Sequence, residues 1–265
     1  MNTNEIALCA PASAESKEAG DSSGLYGSGP SVALEALGVS RTINWGQRWQ
    51  SGTAAYWVAT TDFSRAEGHL DKTGRHRLGS SLREEVAACI LGGFGMPFEL
   101  GLAAFHAVRE RGFLGEGHSA CGGEIENILR GPLNVFGTTR KYRFPSQRAD
   151  RLTRCLAFLD KGNLPSEPLQ VRDWLLQAPG IGPKTASWIV RNHFDSDDVA
   201  ILDIHVIRAG VAAGVFDSGW GVARNYQIME AFFLEWARHG GVRASDLDAT
   251  IWSEQSTTSR LRQRV

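Results

Sequence analysis

Apolar residues recur at helical spacing through most of the chain and at strand spacing almost nowhere. Val171, Trp174, Leu175 and Ala178 follow i, i+3, i+4 and i+7, and Ala186, Ile189, Val190 and His193 repeat that stripe. Between them, Pro179 is placed to end the first helix, and Gly180 and Gly182 permit a tight turn and close approach of another backbone. Thr185 is placed to cap the second helix. The stretch 169–193 therefore reads as a helix, a hairpin turn and a helix.

The flanks continue the helical pattern. Ser81 and Glu84 form a capping box ahead of Leu82, Val86, Cys89 and Ile90, and Gly92-Gly93 stops that run. Pro97 opens a helix predicted to turn Phe98, Leu102 and Phe105 inward, with Gly112 at its end. The glycine-rich stretch 112–123 reads as a linker between two lobes. Further on, Leu152, Cys155, Leu156 and Leu159 mark one helix face within 147–159. Tyr226, Met229, Phe232, Phe233 and Trp236 mark another, stopped by Gly240-Gly241. The fold class is mainly α: two helical lobes with a cleft between them.

Composition bounds this picture. With 265 residues, 42% hydrophobic and 22% charged, the chain can bury one large or two small cores. Residues 1–30, rich in Ser, Ala, Gly and acid, read as a flexible leader, and 31–265 as the helical domain. No run has the pattern of a signal peptide or a membrane span. The four cysteines, at 9, 89, 121 and 155, match neither zinc nor iron–sulfur spacing and are expected to be reduced thiols; no metal site is expected. His106 reads as structural for the same reason, since no partner stands at metal spacing.

Net charge of −1 and a pI near 6.7 do not announce a nucleic-acid binder, so such a role must rest on local charge. One segment supplies it. Arg130, Arg140, Lys141, Arg143, Arg148, Arg151 and Arg154 face the single acid Asp150, with Tyr142 and Phe144 interleaved. That is either a track for phosphates and stacked bases or the solvated face of a helix. Arg75-His76-Arg77 is a smaller cluster, read as solvated charge, and the tail Arg260–Val265 reads as a disordered basic end before an extra phosphate contact. Trp45, Trp49, Tyr56 and Trp57 suit either base stacking or a packed domain edge.

The hairpin is the place where chemistry concentrates. A glycine-rich turn entering a helix leaves unpaired N–H groups without shielding side chains, which seats a phosphate and reads backbone rather than sequence. Lys184 stands just past Gly182, and Asp203 follows within the apolar run Ile201-Leu202-Asp203-Ile204, where an unpaired carboxylate is costly.

The segments Leu176–Ala186, LQAPGIGPKTA, and Ile201–Val206, ILDIHV, resemble the signature of the helix-hairpin-helix DNA glycosylases. The likeness is to the 8-oxoguanine branch above all, with its lysine after the turn and its aspartate at similar spacing. It covers about forty residues of the sequence. It implies a DNA N-glycosylase that flips a modified base out of double-stranded DNA and leaves an abasic site, with abasic-site lyase activity as an option. Two substrates stay open: oxidised guanine, and a hypermodified phage base such as glucosylated hydroxymethylcytosine, removed in anti-phage defence. A non-catalytic DNA-binding module is the alternative.

Cleaving an N-glycosidic bond builds positive charge at C1′, which calls for a nearby carboxylate and a nucleophile. The resemblance assigns attack to Lys184 and charge stabilisation to Asp203. A free lysine titrates near ~10.4, so its site must favour the neutral amine, and a helix N-terminus helps. The blander roles are phosphate neutralisation for Lys184 and helix capping for Asp203. Gly180, Gly182, Thr185, His205, Arg143 and Arg148 are the expected DNA contacts. Trp188, one turn past Lys184, is expected at the base pocket, where an indole stacks on a flipped base or fills a smaller cavity. The resemblance further implies a monovalent cation on the hairpin carbonyls and no other cofactor. A monomer is expected, without membrane partners, in the cytoplasm at the nucleoid if the source is bacterial. Two features narrow the branch: no cysteine follows Cys155 to hold a cluster, and no β-rich N-terminal domain is evident.

Overall fold

The computed structural model describes residues 29–70, 76–93, 95–115 and 121–262, with side chains to 256. The expected leader up to residue 28, Cys9, Arg75, residues 116–120 of the linker and the side chains of the basic tail lie outside the described residues. In chain order the elements are β1 (Ser31–Ala36), β2 (Val39–Asn44), α1 (Ala54–Ala66), α2 (Leu82–Gly92), α3 (Phe98–Glu110) and α4 (Gly122–Arg130). There follow β3 (Leu133–Val135), β4 (Thr138–Arg140), α5 (Pro145–Lys161), α6 (Pro168–Leu175), α7 (Pro183–Phe194), α8 (Ile204–Ala212), α9 (Val222–Gly240) and α10 (Ala244–Arg262).

Two apolar cores define two lobes. The first is drawn from α2 to α7, around Phe105, Leu91, Ile125, Leu152, Leu156 and Leu175. The second combines β1, β2 and α1 with α8, α9 and α10, around Trp236, Phe232, Phe233 and Phe216. The first described elements thus pack against the last, with β1 on α9 and α1 on α10.

The helices form for legible reasons. Ser81 accepts from the Glu84 amide at 3.2 Å while the Glu84 carboxylate takes the Ser80 amide at 2.7 Å, so the capping box closes one residue further back than expected. At the crossing of α2 and α3, a Cβ on Gly101 would stand 2.5 Å from the Gly92 Cα, so glycine at 101 lets these helices pack so closely.

Several expectations are corrected. Two antiparallel hairpins exist where strand alternation looked weak: β1 with β2, pairing Ser31 with Asn44, and β3 with β4, pairing Leu133 with Arg140. Each is short and half-exposed, so neither needs a clean apolar stripe. Phe98 is exposed at the first turn of α3, and the inward face is Leu100, Ala104, Phe105 and Val108. The linker ends early, because Gly122 and Gly123 already belong to α4. Helix α6 stops at Leu175 rather than Ala178; the Gln177 and Ala178 amides bond three residues back, tightening the chain before Pro179. α10 had no sequence forecast at all. The aromatic region splits between both readings: Trp57 is buried, Trp45 packs on His239, and Trp49 is exposed.

Gly210 sits inside α8, the helix that begins just after Asp203, and a Cβ there would meet the Phe216 ring at 2.3 Å. Gly210→Ala is expected to destabilise the fold by about 1–3 kcal/mol through overpacking. Urea denaturation of the two proteins checks this; equal midpoints would refute the close approach.

Candidate active site

The site is built around the turn between α6 and α7. Gly180 adopts φ +84° and lies on the stem of Arg151, where a Cβ would stand 3.0 Å from that side chain. Gly182 is the N-cap of α7, has no side-chain cap bond, and faces open space. Pro183 then occupies N1, lacking an N–H where none is needed. This corrects the role expected of Thr185, which sits at the third helical position instead of the cap, because Pro183 starts the helix early. The exposed amides at the start of α7 thus face outward with the dipole's positive end, an anion seat.

Lys184 projects from this first turn and is half-buried. Asp203 is the N-cap of α8: its Oδ1 accepts the amides of His205 and Val206, each at 2.8 Å. Capping orients the carboxylate and leaves Oδ2 with no hydrogen bond among the described residues. His205 is half-buried, and its Nδ1 is buried without a hydrogen-bond partner among the described residues. Trp188, one turn past Lys184, lays its ring 3.4 Å from where a Gly92 Cβ would be and packs against the first core.

One carboxylate ties these parts together. Glu230 of α9 is buried; its Oε1 accepts the Ser187 hydroxyl of α7 at 2.8 Å and the Ala200 amide at 3.0 Å, and its Oε2 accepts Arg172 of α6 at 2.8 Å. Ser187 lies three residues beyond Lys184, and Ala200 three before Asp203. A second link joins buried Asp248 of α10 to Arg191 of α7 at 3.7 Å. Burial pushes the Asp248 carboxyl up to about 6, with Arg191 and Lys184 opposing and Asp203 adding to the rise. Asp248 therefore lies within electrostatic reach of both Lys184 and Asp203. At the start of α3, Phe98 meets Trp252 of α10 edge to face at 5.8 Å, a further bridge between lobes. Sequence reasoning passed over Glu230, Asp248 and Trp252. A lone acid on an apolar helix face was the signal available for the two carboxylates, and Glu230 carried it in plain view.

The basic segment divides. Arg143 is exposed and donates to the Gly95 carbonyl at 3.2 Å. Arg148 is not part of an exposed track: it is buried, and donates to the Ile90 carbonyl at 2.6 Å. Tyr142 does likewise to Leu91 at 2.6 Å. Together they satisfy the last carbonyls of α2, where a cation suits the negative end of the helix. Burial holds the Arg148 guanidinium below its ordinary value. Arg130 and Arg154 are paired with Glu126 and Asp150. An open cavity of about 340 Å³ is lined by Phe144, Gln147, Arg148 and Arg151 from α5 and its approach, and by Gly180 and Thr185 from the hairpin. The start of α5, like that of α7, has Pro at N1 and no side-chain cap bond.

A glycine-rich hairpin, a lysine in the next helical turn and an aspartate capping α8 give the chain the layout of a helix-hairpin-helix DNA glycosylase, and the family comparison agrees. The chain matches the profile described as Ogg-HhH, 8-oxoguanine DNA glycosylase, over residues 70–241, and it belongs to that family. It is a DNA N-glycosylase by that membership. Among solved structures it is similar to the 8-oxoguanine DNA glycosylase of Thermotoga maritima, with 25% identity and a TM-score of 0.58 over 75% of this chain and 95% of that one. The Methanocaldococcus jannaschii 8-oxoguanine DNA glycosylase shares the fold, with 22% identity and a TM-score of 0.59 over 76% and 94%. Its complex with a 15mer DNA containing 8-oxoguanine, described as a glycosylase/lyase, matches at 21% identity and a TM-score of 0.58 over 76% and 98%. Among the described residues no helix is long and apolar enough to cross a membrane, and no group of three His, Cys, Asp or Glu side chains could hold a metal ion.

Two expected outcomes follow from the buried carboxylates. Glu230→Ala strands the Ser187 hydroxyl and the Ala200 amide, leaves Arg172 with Asp173 alone, and is expected to cost about 3–5 kcal/mol, with Glu230→Gln costing less; urea denaturation measures both. For Asp248, the folded value lies above the unfolded one, so the unfolded chain releases its proton first. Stability from this group is therefore full at low pH and falls as pH rises from about 4 to about 6. Asp248→Asn is expected to flatten that slope by up to one proton, read from denaturation at several pH values, and an unchanged slope would count against it.

Proposed function

We propose that this glycosylase excises 8-oxoguanine from duplex DNA, with Lys184 as nucleophile and Asp203 as the stabiliser of developing charge. The observation that carries the reading is the joint placement of those two side chains at the starts of α7 and α8, within a chain of the 8-oxoguanine glycosylase family. The substrate named for the similar Thermotoga and Methanocaldococcus proteins supports oxidised guanine over the glucosylated phage base.

In this mechanism the hairpin amides and Arg143 hold the backbone beside the target, which positions the extruded nucleotide without reading its neighbours. The Lys184 amine attacks C1′ as the glycosidic bond breaks, and the base departs with the proton that the attacking nitrogen sheds. The aspartate's open oxygen faces the positive charge that builds on the sugar, and His205 and Val206 keep it aimed. Loss of a proton from the lysine nitrogen and opening of the sugar ring give a Schiff base. β-Elimination of the 3′ phosphate from that species cuts the strand, which makes the enzyme bifunctional. Trp188 borders the base, its indole already packed against the first core. A monovalent cation belongs to the same reading: the carbonyls of Leu176, Pro179, Gly180 and Ile181 accept no backbone hydrogen bond, so oxygen donors are available in the turn.

Lys184→Gln is expected to abolish excision and borohydride trapping on duplex containing 8-oxoguanine while duplex binding persists. Asp203→Asn is expected to slow single-turnover excision by at least about 10²-fold. The decisive panel sets 8-oxoguanine beside glucosylated hydroxymethylcytosine. Excision of only the latter moves the substrate, and full activity in Lys184→Gln removes the nucleophile.

A further inference from the structure

The distribution of paired and unpaired charge singles out one element that the glycosylase chemistry does not use. Arginines at 41, 48, 65, 130, 154, 172, 191, 238 and 243 each lie against a carboxylate. Arg140, Lys141 and Arg143 have no carboxylate partner, and no other stretch of the described chain places three unpaired cations within four residues. Between Gly131 and Ala149 there is no acid at all.

These cations lie where β4 leaves the β3–β4 hairpin. Leu133 anchors that hairpin in the first core, and β3 packs on α3. Its outer residues Thr138, Thr139, Arg140 and Lys141 are exposed. The tip is Phe136, 89% exposed at φ +49°, followed by Gly137 at φ +78°. A turn with two positive φ values favours Asn-Gly or Gly-Gly, so a bulky aromatic there is a strained choice with no contact in the fold to explain it. Strain alone does not single it out, because Leu37-Gly38 of the β1–β2 hairpin has the same geometry. That hairpin, however, carries Glu35 opposite its basic residue's strand and pairs Arg41 with Asp217. Only the β3–β4 hairpin joins an exposed tip to free positive charge.

The strip also runs into the active site. From Lys141 the chain passes through Arg143, bonded to Gly95, to Phe144, 3.5 Å from a Cβ position on Gly95, and into the cavity that Gln147 and Arg151 share with Gly180 and Thr185. We propose that the β3–β4 hairpin with Arg140 and Lys141 is a second DNA-binding arm, which grips the phosphate backbone to one side of the excised nucleotide and lays Phe136 against the sugar edge of the groove. This rests on the duplex-binding part of the proposed function, not on which base is removed.

The test uses the full chain and an undamaged 30-base-pair duplex, with binding measured across a salt series and hydroxyl-radical footprinting at low salt. Each phosphate contact on B-DNA contributes about 0.9 to the slope of log K against log salt. Arg140→Ala/Lys141→Ala is expected to lower that slope by about 2. Phe136→Ser is expected to shorten the footprint at one end only. Lys161→Ala, a free cation at the far end of α5, serves as the control that leaves the slope unchanged, and thermal melts show that each variant is folded. A wild-type footprint and slope preserved in the hairpin variants overturn the arm alone. Wild-type protein that fails to bind the duplex overturns the arm and the duplex-binding reading together.

Discussion

The buried carboxylate of Glu230 is the interaction on which this architecture turns. Three partners converge on its two oxygens: a guanidinium from α6, a hydroxyl from α7 and an amide from the segment leading to α8. Because α7 carries Lys184 and that segment carries Asp203, the separation of the two is fixed by hydrogen bonds rather than by apolar contact alone. Apolar packing tolerates small slides; charge-assisted hydrogen bonds do not. A buried ionic cluster often adds little net stability against a well-packed apolar substitute. Its value here is geometric, since it sets where two helix starts sit relative to each other.

Both helix starts use one device with opposite polarity. α7 leaves its N-terminal amides open, an invitation to an anion outside the protein. α8 has its amides filled by the protein's own anion, Asp203. The two roles weighed for Asp203, cap and charge stabiliser, are therefore not rivals. One oxygen performs the capping, and the rigidity so gained aims the other. The remaining polar links between lobes, Arg191 with Asp248 and Arg243 with Asp195 and Asp197, extend the same polar seam.

Legibility in the sequence followed locality. The hairpin, the stripes on α7 and α9 and the capping box of α2 are set within one or two helical turns, so periodicity and punctuation sufficed to read them. Lys184 and Asp203 stand out in the sequence because their motif is local. What escaped depends on partners far along the chain. Arg148 looked like a phosphate contact because its neighbours are basic, and only the fold reveals Ile90 beneath it, 58 residues away in sequence. Glu230 reads as one acid among apolar residues until its partners on α6 and α7 are in view. The two hairpins escaped because a three-residue strand is too short to display a period. Net charge misled in the same manner: a near-neutral total conceals the fact that many arginines lie against carboxylates while Arg140, Lys141 and Arg143 stand together without one among the described residues.

The pairing of the first described elements with the last has a consequence for how the enzyme comes into being. The first core closes within residues 86–199, so it can consolidate while the rest of the polypeptide is still being made. The second core needs Leu34 and Ile43 to find Phe232 and Trp236, a search across nearly the whole polypeptide. Lys184 belongs to the half that forms early, and Asp203 to the half that forms late. The two helix starts that the proposed chemistry uses are therefore brought into register only when the second core closes.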